Sequence, residues 1–128
     1  MSVILVVDGA NVVGSRPDGW WRDRPGAARA LHERLLVADT PYDQIVLVLE
    51  GQAKAGTKAG RDGHVLTVHA PKDGDSAIIK AVENALARGD SVVGITADRS
   101  LRTRLENIGA RVMSPSWLID LMENPSPR

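Results

Sequence analysis

Three aspartates stand where apolar runs give way to turns: Asp8 in Val7-Asp8-Gly9-Ala10-Asn11, Asp75 in Asp73-Gly74-Asp75-Ser76, and Asp98 after Val92-Val93-Gly94-Ile95-Thr96-Ala97. Open parallel sheets bind ligands outside the carboxyl ends of their strands, so acids from three segments can converge there on one divalent cation. The reaction such a site would serve is phosphodiester hydrolysis. Attack brings an anionic nucleophile to an already charged phosphorus, and Mg²⁺ or Mn²⁺ helps by neutralising charge and acidifying bound water. Hard cations of this kind take oxygen ligands. Asp8 and Asp98 are expected to bind the ion directly, and Asp75 to complete the shell or orient the attacking water. Glu50 and Asp73 are further candidate ligands. Asn11, just past the strand end, is expected to fix the Asp8 rotamer or donate to a phosphate oxygen. Carboxylates crowded together repel one another, so added metal is expected to raise the melting temperature.

Each of these residues also has a plainer role open to it. Asp8 before Gly9 can end a strand in a turn, and Asn11 can form an Asx-turn. Asp73, Asp75 and Asp98 all stand where helix N-caps belong, and Glu50 can be a solvated strand end.

Candidate substrate contacts lie in two loops. Trp20 and Trp21 stand among Arg16, Arg22 and Arg24, and aromatics interleaved with cations can stack bases while meeting phosphates. The competing role for the indoles is to cap the core. Lys54 and Lys58, with Arg61 nearby, occupy a Gly- and Lys-rich stretch expected to be a mobile loop that guides RNA or keeps itself solvated. Arg99, beside Asp98, is a further candidate for substrate binding.

The elements that must position these groups alternate. Val3 to Val7 is a continuous β-branched and aliphatic run, as in a strand buried on both faces, and Ile45 to Leu49 repeats it before Glu50-Gly51. Ala28, Leu31, Leu35 and Ala38 recur at helical spacing, which predicts a helix of about 12 to 15 residues. His64 to His69 reads as a third strand, and Ile78, Ala81, Val82 and Ala85 as one face of a second helix stopped by Gly89. Ser91 to Thr96 is a fourth strand. Leu101, Leu105 and Ile108 mark a third helix, Arg111 to Met113 a fifth strand, and Ser114 with Pro115 the start of a last helix. Alternating strands and helices imply a mostly parallel sheet of about five strands between helical layers, with the first strand central. One domain is expected over residues 1–124, with 125–128 as a tail.

Composition narrows the functions. With 128 residues the chain can bury a real core, and its 16 Lys plus Arg balance 16 Asp plus Glu, so no global field announces a polyanionic partner. The absence of Cys excludes disulfides, thiolate metal sites and a Cys nucleophile. No apolar run is long enough to span a bilayer and the N-terminus lacks a signal-peptide pattern, so no membrane association and a cytoplasmic location are expected. Gly56-Thr57-Lys58 has the wrong order for a phosphate loop, and no Ser lies in a nucleophile elbow. His32, His64 and His69 show no metal spacing; an interval of five along a strand would send the last two to opposite faces.

Taken in series, Val7-Asp8-Gly9-Ala10-Asn11, Leu49-Glu50-Gly51, Gly74-Asp75-Ser76-Ala77-Ile78 and Thr96-Ala97-Asp98-Arg99-Ser100-Leu101 resemble the NYN-domain group of PIN-like nucleases, in particular the YacP-like proteins. The resemblance covers nearly the whole chain in the same order. It implies a three-layer α/β/α domain, an acidic metal site at the strand ends, and endonucleolytic cleavage of RNA. Asp8, Asp75 and Asp98 match the metal-binding acids of that family, and Asn11 the polar partner in its first motif. The chain departs from the pattern at Glu50, where the family often has Asp, and at Ser76, where it often has a second acid; these departures imply a single-metal or weakened site.

The leading expectation is therefore an Mg²⁺- or Mn²⁺-dependent endoribonuclease whose RNA is presented by a larger assembly, since the chain carries little basic surface. Two others compete: a metal-dependent phosphohydrolase acting on a small substrate, and a non-catalytic RNA-binding module with a depleted site. The oligomeric state is not legible.

Overall fold

The computed structural model describes residues 2–16 and 18–123; the expected tail at 125–128 lies outside them. The elements run β1 (Val3–Asp8), α1 (Gly9–Val13), α2 (Arg24–Val37), β2 (Gln44–Leu49), β3 (Gly60–Asp62), β4 (Val65–His69), α3 (Gly74–Ala87), β5 (Ser91–Ile95), α4 (Arg99–Asn107), β6 (Arg111–Met113) and α5 (Pro115–Glu123), with 3-10 turns at Trp20–Arg22 and Gly51–Gly56.

The strands form one six-stranded sheet in the order β3-β4-β2-β1-β5-β6. All neighbours are parallel except β3 and β4. β1 lies inside the sheet because its residues are apolar on both faces. Leu5 and Val7 point into a core shared with Leu31 and Leu35 of α2 and Leu118 of α5. Ile4 and Val6 point into the opposite core, with Ile78 and Val82 of α3 and Leu101 and Leu105 of α4. The molecule is thus a three-layer α/β/α fold, and no helix among the described residues is long and apolar enough to cross a membrane.

Three features depart from the sequence expectation. The sheet has six strands rather than about five, and the extra one falls in the stretch expected to be a mobile loop. Gly51–Gly56 forms a 3-10 turn against α2, and Gly60–Asp62 pairs antiparallel with β4. Gly-Arg-Asp has little strand propensity; the hairpin is made by its turn, where Gly63 takes a positive φ of 59°. Five residues of helix, α1, follow β1 directly, where the sequence marks no helix. The histidines also differ: His64 precedes β4, so strand alternation does not govern it, and both it and His69 bond backbone carbonyls on the α2 side of the sheet, Leu35 O and Thr57 O.

The tight entry into α1 rests on Gly9. A Cβ there would lie 2.7 Å from Val48 O and 2.9 Å from a Leu49 methyl, so the helix can begin against β2 only without a side chain. Gly9→Ala is expected to destabilise the fold by about 1–3 kcal/mol in chemical denaturation. An unchanged denaturation midpoint would contradict this packing.

Candidate active site

Asp8 ends β1 with its side chain 4% exposed, and its carboxylate is held from two directions. Asn11 donates from its backbone N–H to Oδ1 at 3.3 Å and from Nδ2 to Oδ2 at 2.6 Å. Thr96, at the end of the adjacent strand β5, donates its hydroxyl to the same Oδ2 at 2.9 Å. The Thr96 hydroxyl in turn accepts the backbone N–H of Asp98 at 3.2 Å, and Asn11 Oδ1 accepts that of Ala97. The ends of β1 and β5 are therefore joined by one polar network. Burial pushes the Asp8 carboxyl above its ordinary value, with a smaller push from the charge of Asp75, against the lowering effect of the Thr96 and Asn11 hydrogen bonds.

The other acids divide by the bonds they make. Asp98 caps α4, accepting the Leu101 N–H at 2.9 Å. Asp73 caps α3, accepting the N–H and hydroxyl of Ser76, which hold its carboxyl below the usual range. Glu50, leaving β2, accepts the Gly74 N–H at 2.9 Å and fills the space where a Cβ at position 74 would stand. Asp75, one residue into α3, accepts no hydrogen bond from the described residues. Its carboxyl is pushed above the ordinary range, first by desolvation and then by the charges of Asp98, Asp73 and Glu50, with Arg104 of α4 acting in the opposite sense.

Asp8, Asp75 and Asp98 thus share one electrostatic neighbourhood at the carboxyl end of the sheet, with Glu50 and Asp73 on its α3 side. Among the described residues, however, no three His, Asp or Glu side chains stand close enough to form a ready metal cage. The donor set still suits a hard divalent cation. It is all oxygen, and Asp75 is a carboxylate with no hydrogen-bond partner among the described residues, facing like charges that a cation would relieve.

The expected substrate contacts separate into engaged and open groups. Arg16 is drawn to Glu123 of α5, which Arg34 also meets, and Lys54 donates to Ala70 O at 3.1 Å, so both are committed within the molecule. Arg22 lies 5.8 Å from the centre of the Trp21 ring and Arg24 5.4 Å from that of Trp20, the two indoles meeting edge to face. Trp21 is 51% exposed, whereas Trp20 is half-buried beside Gly14. Lys58 and Arg99 are exposed. Sequence reasoning gave no role to Thr96 or Arg104. The signal for Thr96 was a hydroxyl two residues before Asp98 at a strand end; Arg104 had none beyond helical spacing from its neighbours.

No family model matches the chain, and no curated protein matches it. Among solved structures, the crystal structure of a point mutant of Rae1 (YacP) from Bacillus subtilis superposes with a TM-score of 0.74 at 20% identity, over 96% of this chain and 76% of that one. The fold is similar to that of Rae1. The three-layer fold that the YacP-like resemblance implies is thus shared with Rae1 over nearly all of the chain.

The raised carboxyls fix the direction of the pH response. An acid whose folded value lies above its unfolded one favours folding while protonated, and that contribution is lost as pH rises through the folded value. Asp75→Asn is therefore expected to raise Tm at neutral pH by a few degrees, about 2–4 °C. The gain should shrink as pH falls through the carboxylate range. A variant less stable than the native chain at pH 7 would show that Asp75 is not repelled.

Proposed function

We propose that the chain is a metal-dependent endoribonuclease that hydrolyses RNA phosphodiester bonds at the acids gathered on the carboxyl ends of β1, β2 and β5. The observation that carries this reading is Asp75: a carboxylate without a hydrogen-bond partner among the described residues, beside four other acids, at the edge where a parallel sheet takes its ligands. The likeness in fold to Rae1 supports it.

Asp75, Asp8 and Asp98 would hold an Mg²⁺ or Mn²⁺ ion, with Glu50 and Asp73 supporting. Bound there, the ion supplies charge neutralisation at the phosphate and a more acidic water. The chain's own groups do the rest. Asn11 and Thr96 fix both oxygens of Asp8, so the carboxylate meets its ligand without reorganising. The first turn of α3, pinned by Glu50 through the Gly74 N–H, presents Asp75 within the electrostatic reach of Asp98. Arg104 offers a positive charge to phosphate on the α4 side, and Arg99 extends it.

On the substrate side, Trp21 with Arg22 over its ring provides a stacking surface for a base, an arrangement that works on any sequence because every base has a π-face. Arg16 and Lys54, already bonded internally, contribute little to binding. With no net charge of its own, the chain is suited to RNA presented by a larger assembly.

The test is cleavage of a panel of single-stranded and hairpin RNAs with Mg²⁺ or Mn²⁺, comparing the native chain with Asp75→Asn. Native cleavage that requires metal and falls about 100-fold or more in the variant is expected. Hydrolysis of a small phosphate ester with no RNA cleavage would turn the reading to a phosphohydrolase. RNA binding without cleavage of either substrate would turn it to a non-catalytic module.

A further inference from the structure

The two faces of the sheet are unequally covered. Among the described residues, one side carries α1, α2, α5 and the Gly51–Gly56 turn; the other carries α3, over β1, β5 and β2, and α4, against β6. The outward face of β2 and β4 is left as the floor of a groove of about 1020 Å³, with Val46, Leu66 and Val68 on the sheet and Ala77 and Ala81 on the flank of α3. Parallel strands are buried on both faces in nearly all folds, because their residues are apolar on both. Leu66 and Val68 nevertheless remain partly exposed, beside Val46, which is buried.

The rim carries four cations, Arg61, Lys72, Lys80 and Arg88, against three acids, a net charge of +1. Its three acids are all engaged within the chain: Asp43 accepts the Val3 N–H at 2.8 Å, Asp73 caps α3, and Asp90 pairs with Arg88 at 3.3 Å. Its other cations are exposed and unspent. Lys72 and Lys80 form no ion pair among the described residues, and Arg61 faces only the neutral amide of Gln44. An aliphatic floor walled by α3 and rimmed by unpaired cations complements one kind of surface, an amphipathic helix with an apolar stripe and acidic flanks. A polynucleotide fits it less well, since the floor contains no aromatic ring on which a base can stack.

We propose that this groove docks an acidic amphipathic helix of a partner protein, which completes the missing part of the second helical layer. The apolar stripe of that helix, at i, i+3, i+4 and i+7, would lie on Leu66, Val68 and Val46, and its acids would reach Lys72, Lys80 and Arg61. The docking does not depend on the nuclease reading.

The experiment is fluorescence anisotropy with a labelled synthetic helix of about 14 residues, carrying Leu at that spacing and Glu on both flanks. The same helix with Lys flanks and a labelled oligouridine serve as competing probes. The Glu-flanked helix is expected to bind the native chain, to lose affinity about tenfold or more on Leu66→Asp, and to lose about tenfold on the surface pair Lys72→Glu with Lys80→Glu. The loss in the lysine pair should narrow as salt rises. That pair lies on the surface, so its result holds even if Leu66→Asp disturbs folding. No binding of the Glu-flanked helix, equal binding of the Lys-flanked one, or indifference to the lysine pair each overturns the proposal. Oligouridine binding lost in the lysine pair, with no helix binding, assigns the groove to nucleic acid instead.

Discussion

A charge buried at the end of a strand is the constraint around which this molecule is arranged. A carboxylate such as that of Asp8 is costly to remove from water unless hydrogen bonds replace the lost solvation. Asn11 supplies them from α1 and Thr96 from the end of β5. That requirement fixes much else. Asn11 must lie on a helix that starts immediately, so position 9 must be a glycine able to approach β2; Thr96 must end the strand beside β1, so β5 must be its neighbour. The same hydroxyl sets the backbone of Asp98, and so the start of α4. Without the Thr96 hydroxyl, Asp8 Oδ2 would keep Asn11 Nδ2 as its donor, but the link from β1 to the start of α4 would be lost.

The site is built mainly from helix starts. Asp8, Asp73 and Asp98 each accept a backbone N–H from three residues further on, so capping and the gathering of acids are achieved by the same residues. These roles do not compete, since a carboxylate has more acceptor positions than one cap uses. Asp75 differs because Asp73 has taken the cap of α3. Relieved of that task and set among like charges, it is left with its charge uncompensated by any hydrogen bond from the described residues.

How much of this the sequence revealed depended on whether a signal was local. The continuous apolar runs at Val3 to Val7 and Ile45 to Leu49 can only be strands covered on both faces, and the periodic Leu and Ala positions of α2 and α3 left little choice of element. The position of β1 inside the sheet followed from the same runs. The β3 hairpin escaped notice because its strand residues are poor strand formers and only Gly63 signals the turn. The division of labour between Asp73 and Asp75 was also hidden, since both satisfy the preference for acids at a helix start and only the geometry of Ser76 decides which one caps. Arg16 and Lys54 looked available for substrate because their partners, Glu123 and the Ala70 carbonyl, are far away in sequence or on the main chain.

The sheet ends on both sides in strands of three residues, β3 and β6, and each places an arginine at its margin, Arg61 and Arg111. A strand edge with unpaired N–H and C=O groups invites another chain to add itself, and short length and charge are the usual defences. Both defences are present here on both rims. The long apolar strands that build the core, which would be aggregation-prone if they lay outermost, are kept inside, so growth of the sheet from molecule to molecule is blocked by the order in which its strands are laid down.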